Sequence, residues 1–155
     1  MRKDVTDDPA IVAEVLRAAE FMSLAVQDAQ GLYCVPVNFA CRDGVLFFHS
    51  AKKGRKIEAL RRAEAAGTSV AFSAATDLKV KTGDKACQWG YTFRCVLGSG
   101  TVRELSDPAE ARAGLGVIMA KYAGSDDFPY DEGILTKTAV LALRVGQATA
   151  RLKLA

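Results

Sequence analysis

Two neighbouring cations at the start of a predicted helix are the residues of this chain best suited to chemistry. The run Phe47-Phe48-His49-Ser50-Ala51-Lys52-Lys53-Gly54-Arg55-Lys56 reads as an apolar strand ending in hydrogen-bonding side chains. A glycine-containing turn then delivers Arg55 and Lys56 to the mouth of a helix. The first turn of a helix presents unpaired amides and a partial positive charge, which favours a phosphate group. Arginine adds a forked, bidentate grip and lysine a point charge. The same pattern also suits an exposed basic turn before an amphipathic helix, and the pattern alone leaves both readings open. His49 is the only histidine and Trp89 the only tryptophan. Arg94 suits either a substrate anion or a surface ion pair. A redox role for Cys87, near Lys85 in a polar segment, is a further, minor reading.

The elements that must position these residues follow from periodicity and turn chemistry. Asp8-Pro9 opens a helix, with Asp8 as cap and Ile11, Val12, Val15, Leu16 and Ala19 on one stripe. Met22, Leu24 and Val26 alternate with polar or small residues as a half-buried strand. A second strand runs from about Leu32 to Cys41, and Pro36 inside it predicts an edge or a bulge. Asp43-Gly44 predicts a tight hairpin into a third strand, Val45 to Ser50. A helix follows over 55–65, ended by Gly67, and a fourth strand over 68–74. Thr76 to Trp89 reads as a long polar loop, and Tyr91 to Leu105 as a fifth strand whose Gly98 and Gly100 predict a bend or a close backbone approach. Asp107-Pro108-Ala109-Glu110 opens a third helix, with Leu115, Ile118, Met119 and Tyr122 expected inward and an end near Gly124. Thr138 to Val145 closes the set. Hairpins without regular strand–helix–strand alternation predict a mostly β fold with peripheral helices, a six-stranded antiparallel barrel.

The chain has 155 residues, half of them apolar and a quarter charged, which fits one globular domain over 1–155. The 21 basic and 18 acidic residues leave a net charge of +3, too small to argue for nucleic acid by itself. A nucleic-acid surface using Lys52, Lys53, Arg55, Lys56, Arg61 and Arg62 would need interleaved exposed aromatics, and Phe47, Phe48 and Phe72 fall in strands that read as buried. No apolar run is long enough to span a membrane, and the N-terminus has no leader pattern, so a cytoplasmic location is expected. Cys34, Cys41, Cys87 and Cys95 form no C-x-x-C pair and are expected as free thiols; with one histidine, no metal site is expected.

Val35-Pro36-Val37-Asn38-Phe39, the Asp43-Gly44 hairpin and Phe48-His49-Ser50-Ala51-x-x-Gly54-Arg55-Lys56-Ile57-x-x-Leu60-Arg61 occur here in an ordered set. Ala86-Cys87-x-Trp89-Gly90-x-x-x-Arg94-x-Val96-x-Gly98-x-Gly100 follows. Over roughly residues 5–145 this set resembles the pyridoxamine 5′-phosphate oxidase-related FMN-binding proteins, and within them the nitroimidazole-resistance branch.

The resemblance implies a split β-barrel, a homodimer, and one FMN in each of two clefts between the subunits. It implies Arg55 and Lys56 as phosphate ligands, with His49 and Ser50 at the phosphate or ribityl chain. Val35, Pro36, Val37 and Asn38 match the strand that lies along the flavin ring. Cys95 stands where the oxidases contact the flavin with glutamine, and a thiol is a weaker donor. Trp89 would cover a flavin face or the subunit seam, and His49 is the one histidine that could serve as an active-site residue. The expected function is an FMN-dependent oxidoreductase passing electrons to a small organic acceptor, nitroaromatics among the candidates. The alternative is a flavin- or haem-binding carrier or sensor without turnover, and deazaflavin also fits this fold.

Overall fold

A computed structural model describes residues 2–154. Eight strands and four α-helices follow one another as β1 (Val5–Thr6), α1 (Pro9–Ala18), β2 (Phe21–Asp28), β3 (Gly31–Asn38), β4 (Ala40–Arg42), β5 (Val45–Ala51), α2 (Arg55–Ala66), β6 (Val70–Lys81), β7 (Gly90–Glu104), α3 (Pro108–Ala123), α4 (Glu132–Leu135) and β8 (Thr138–Lys153). A 3-10 turn over Ala86–Gln88 lies between β6 and β7. All strand pairs are antiparallel and form one sheet in the order β3-β2-β6-β7-β8-β5-β4, with β1 added beside β8.

The two ends of that order, β3 and β4, are separated along the chain by Phe39 alone. The sheet must therefore curl until its edges nearly meet, yet β3 and β4 do not pair. Phe39 is fully buried at this junction. Its N–H donates to the Tyr122 hydroxyl (3.1 Å), and its carbonyl accepts from the Lys121 ammonium (2.9 Å). Lys121 also reaches the Leu16 and Ala19 carbonyls at the end of α1, so one lysine ties α3, α1 and the strand junction together.

Alternation along each strand sends one set of side chains inward. Met22, Leu24, Leu46, Phe48, Phe72, Val96, Leu141 and Leu143 meet there with Val15 and Leu16 of α1 and Ile57 and Leu60 of α2. A smaller outer core forms where α3 covers β5 and β8, joining Leu105, Val140 and Ala142 to Val45, Phe47, Ala111 and Leu115. The rest of the outer sheet surface is bare. Phe21, Leu32 and Leu97 are 56%, 87% and 58% exposed there.

The six expected strands are all present, but the strand count of six is corrected to eight. Phe39 breaks the second expected strand into β3 and β4, and Val5–Thr6 adds a short strand through pairing with Ala150 and Arg151. The expected polar loop over 76–89 is shortened. Lys79–Lys81 pair with Gly90–Thr92 beyond a register shift, so β6 and β7 project as a hairpin past the rest of the sheet. Exposure of both faces of that hairpin hid its two-residue period behind polar composition. The closing strand runs to Lys153 rather than Val145. Tyr122, expected inward, lies half-exposed and presents its hydroxyl to Phe39.

The turn, edge-strand and close-approach expectations hold. Asp43 and Gly44 adopt φ 51° and 75°, the pair of positive values a two-residue hairpin requires. Pro36 lies on β3, an edge strand. Gly100 is held so near the Arg144 carbonyl that a Cβ would collide with it. Among the described residues no helix is long and apolar enough to cross a membrane, and no cluster of three His, Cys, Asp or Glu side chains could hold a metal.

Candidate functional site

The sheet order is open, and its unpaired edges mark the candidate cleft. β4 pairs with only Val45–Phe47 of β5, leaving the Phe48–Ala51 half of that strand without a neighbour on this side. Among the described residues, β3 pairs with β2 and with nothing on its other edge. An unpaired strand edge presents alternating free N–H and C=O groups. Two such edges, Tyr33–Asn38 and Phe48–Ala51, thus flank the split, and α2 begins immediately beyond the second.

The start of α2 differs from the other helix starts. α1, α3 and α4 are capped by the Asp8, Asp107 and Asp131 carboxylates, which accept from Ala10, Glu110 and Ile134 amides. α2 is preceded by Gly54 at φ 113°, a conformation that favours glycine, and among the described residues no side chain caps it. Its first amides are left for an external acceptor, with Arg55 and Lys56 at the first two helical positions.

Arg55 is held by two contacts absent from the sequence reading. Its Nε donates to Asp28 Oδ2 (2.8 Å) and its Nη2 to Asp28 Oδ1 (3.1 Å). Its guanidinium also lies over the Tyr33 ring, 4.4 Å from the centroid. The Arg55 guanidinium beside Asp28 holds that carboxyl below its ordinary value, desolvation opposes this, and amides of the β2–β3 turn assist it. Arg55 in turn is pushed upward by the Asp28 hydrogen bond. A guanidinium has five N–H donors, so this pairing leaves the Nη1 end of the fork available. Lys56 is half-buried and in no ion pair among the described residues.

His49 lies on the outward face of β5, opposite Val140. Desolvation by the surrounding chain, then the nearby Lys56 charge, lowers its pKa, which favours the neutral imidazole. Ser50 points inward, is 5% exposed, and donates its hydroxyl to the Ala51 carbonyl (2.9 Å). Only its backbone therefore lies along the cleft edge. Val35 and Val37 also turn inward, whereas Pro36 and Asn38 are exposed. Asn38 sits five residues beyond Tyr33, about 17 Å along the strand.

The structure thus gathers Arg55, Lys56 and His49 with the backbones of Val35–Asn38 and Ser50 around one split. It does not bring Cys95 or Trp89 there. Cys95 lies on β7, three strands from β3, opposite Ala75 and Arg151. Trp89 precedes β7 in the projecting hairpin, 56% exposed, with its indole N–H donating to the Gly83 carbonyl (2.7 Å). Arg94 is an ion-pair residue, bound to Asp77 and Glu14. Asp28 and Tyr33 were missed because Asp28 reads as an ordinary turn residue; nothing local links it to an arginine 27 positions later.

A cavity of about 580 Å³ lies at another place, between α1 and β8, lined by Val12, Leu16, Cys41, Val145 and Ala148 among others. Its lining is mainly apolar and includes none of the cleft residues. Burial pushes the Cys41 thiol up, so it is no ready nucleophile.

Residues 8–152 match the family model of pyridoxamine 5′-phosphate oxidase. No curated protein matches the chain. Among solved structures, a candidate 5-nitroimidazole antibiotic resistance protein from Bacteroides thetaiotaomicron is 25% identical, over 94% of this chain and 84% of its own, with a TM-score of 0.79. The flavocytochrome Anf3 from Azotobacter vinelandii shares the fold at 16% identity, over 100% of this chain and 73% of its own, with a TM-score of 0.82. A FAD and heme binding protein from Mycobacterium smegmatis does so at 16% identity, over 97% and 74%, with a TM-score of 0.80.

Proposed function

The chain belongs to the pyridoxamine 5′-phosphate oxidase family, and from that premise we propose that it is an FMN-binding split-barrel flavoprotein that reduces a small organic acceptor. The observation that carries this reading is the uncapped start of α2, where free amides meet Arg55 and Lys56. A phosphate of about two negative charges suits that arrangement. Arg55 would hold it through the free end of its fork, and Lys56 would add a second charge. From there the cleft runs along β3 toward Asn38, the scale of a flavin mononucleotide from phosphate to ring. The unpaired backbone of β3 supports contacts to the ring edge, and Pro36 leaves one position without a donor. His49, neutral and at the lip, can offer one hydrogen bond to the bound ligand or to a substrate. The bound flavin would supply the electron transfer; the chain binds, orients and shields it.

A homodimer belongs to the same proposal. Phe21, Leu32 and Leu97 surround small residues of β2 and β6 on the bare outer face, and an apolar surface of this kind favours a partner. Cys95 and Trp89 lie outside the cleft of their own chain, so they would act on the cofactor held by a second copy. Nitroaromatics remain candidate acceptors through the likeness to the nitroimidazole resistance protein.

A second reading, a flavin or haem carrier without turnover, is favoured by the likeness to the flavocytochrome and to the FAD and heme binding protein. The visible spectrum of the protein as isolated, with mass spectrometry of the molecule released on denaturation, tests both. Flavin bands with FMN released support the proposal. A haem spectrum favours the second reading, and a colourless protein that takes up no added flavin or haem overturns both.

A further inference from the structure

We propose that Asp28 is a positioning residue of the phosphate site, fixing the Arg55 guanidinium by one edge so that its other end is preset for an anion. The inference rests on the phosphate-site reading above and adds a residue to it.

Asp28 closes β2, and its carboxylate is well anchored. The Gln30 amide donates to Oδ1 at 2.8 Å, and the side chain is only 10% exposed. Through the pair at 2.8 and 3.1 Å, Asp28 takes the Nε–H and one Nη2 proton of Arg55. The Tyr33 ring supports the face of the same guanidinium at 4.4 Å. An edge contact and a face contact together fix a planar group in both tilt and rotation. An unrestrained arginine would lose considerable side-chain freedom on gripping a ligand; here that freedom is already lost in the folded chain. Both Nη1 protons and one Nη2 proton remain, enough for a bidentate grip.

The carboxylate also partly offsets the Arg55 charge. A competing role would therefore have Asp28 hold the fork closed against phosphate. The pairing does not cover the Nη1 end, which favours positioning over competition.

The test compares FMN with riboflavin, which lacks the phosphate, by flavin fluorescence quenching on the full chain and on Asp28→Asn and Asp28→Glu. Positioning predicts that Asp28→Asn weakens FMN about tenfold while riboflavin affinity stays within about twofold. Asp28→Glu, which keeps the charge, should recover part of the loss. Tighter or unchanged FMN binding in Asp28→Asn overturns the inference. So does an equal loss of FMN and riboflavin, or failure to fold, because either marks a purely structural turn. Failure of the unaltered chain to bind FMN overturns the cofactor reading itself, and this inference with it.

Discussion

Helices α1 and α2 pack against the same curled sheet, yet they begin in opposite ways. Asp8 turns back to accept from the Ala10 amide, and Pro9 removes a donor that would otherwise be orphaned. Asp107 and Pro108 repeat the solution at α3. At α2 the cap position is Gly54, which supplies no acceptor, and the next two residues are cations rather than proline. The first kind of end is electrostatically complete within the chain. The second has no side-chain acceptor at its cap, and on our proposal an anion supplies it. Its neighbours fit that difference, because α2 begins at the split between β3 and β5, whereas Asp107 begins a helix packed over β5 and β8.

The largest expected effect comes from removing what distinguishes the open end. The double variant Arg55→Gln with Lys56→Gln should weaken FMN at least about 100-fold in a quenching titration. Its thermal midpoint without ligand should fall modestly, since Lys56 has no ion pair among the described residues but Arg55→Gln leaves the Asp28 carboxylate, 10% exposed, without its partner. The bare outer face gives the next test. Leu97→Lys places a charge at an exposed apolar position, and light scattering should show monomer mass with FMN affinity about tenfold lower if both copies build the site. Unchanged dimer mass would place the subunit seam elsewhere.

At a closed end the pattern should reverse. Asp107→Ala should cost about 1 kcal/mol in denaturant unfolding and leave FMN affinity within about twofold. The smallest effect is in acid. Asp28 has a folded-state pKa below its ordinary 3.8, so its contribution is present above that value and lost as pH falls through the lowered one. Melting curves of the unliganded chain and Asp28→Asn should keep a constant separation from pH 7 to about 5 and converge below about 4. Convergence already at pH 6 would mean that another group titrates at this contact.

How far the sequence discloses this molecule depends on the range of the interaction concerned. Asp8, Asp43-Gly44, Gly67 and Asp107-Pro108 act within a few residues, and each marks the turn or helix end where it stands. Arg55 and Lys56 were legible for the same reason, as neighbours at a helix start. Phe39 looked like an ordinary strand residue because its role, joining two edges of one curled sheet, exists only after the whole sheet has curled. Asp28 was unreadable as an arginine partner for a similar reason. Ser50 was legible as a strand-end residue, but not as one facing inward, because the register of β5 against β8 sets that direction. Lys79 and Lys81 made a strand look like loop, since both faces of the projecting hairpin meet solvent within one chain.

The central claim is that the open start of α2 is a phosphate clamp, and titrating the unaltered protein with FMN and riboflavin side by side addresses it most directly. FMN should bind at least about 100-fold more tightly than riboflavin, the difference being the phosphate alone. Equal affinities for the two, or no quenching by either, would contradict the claim.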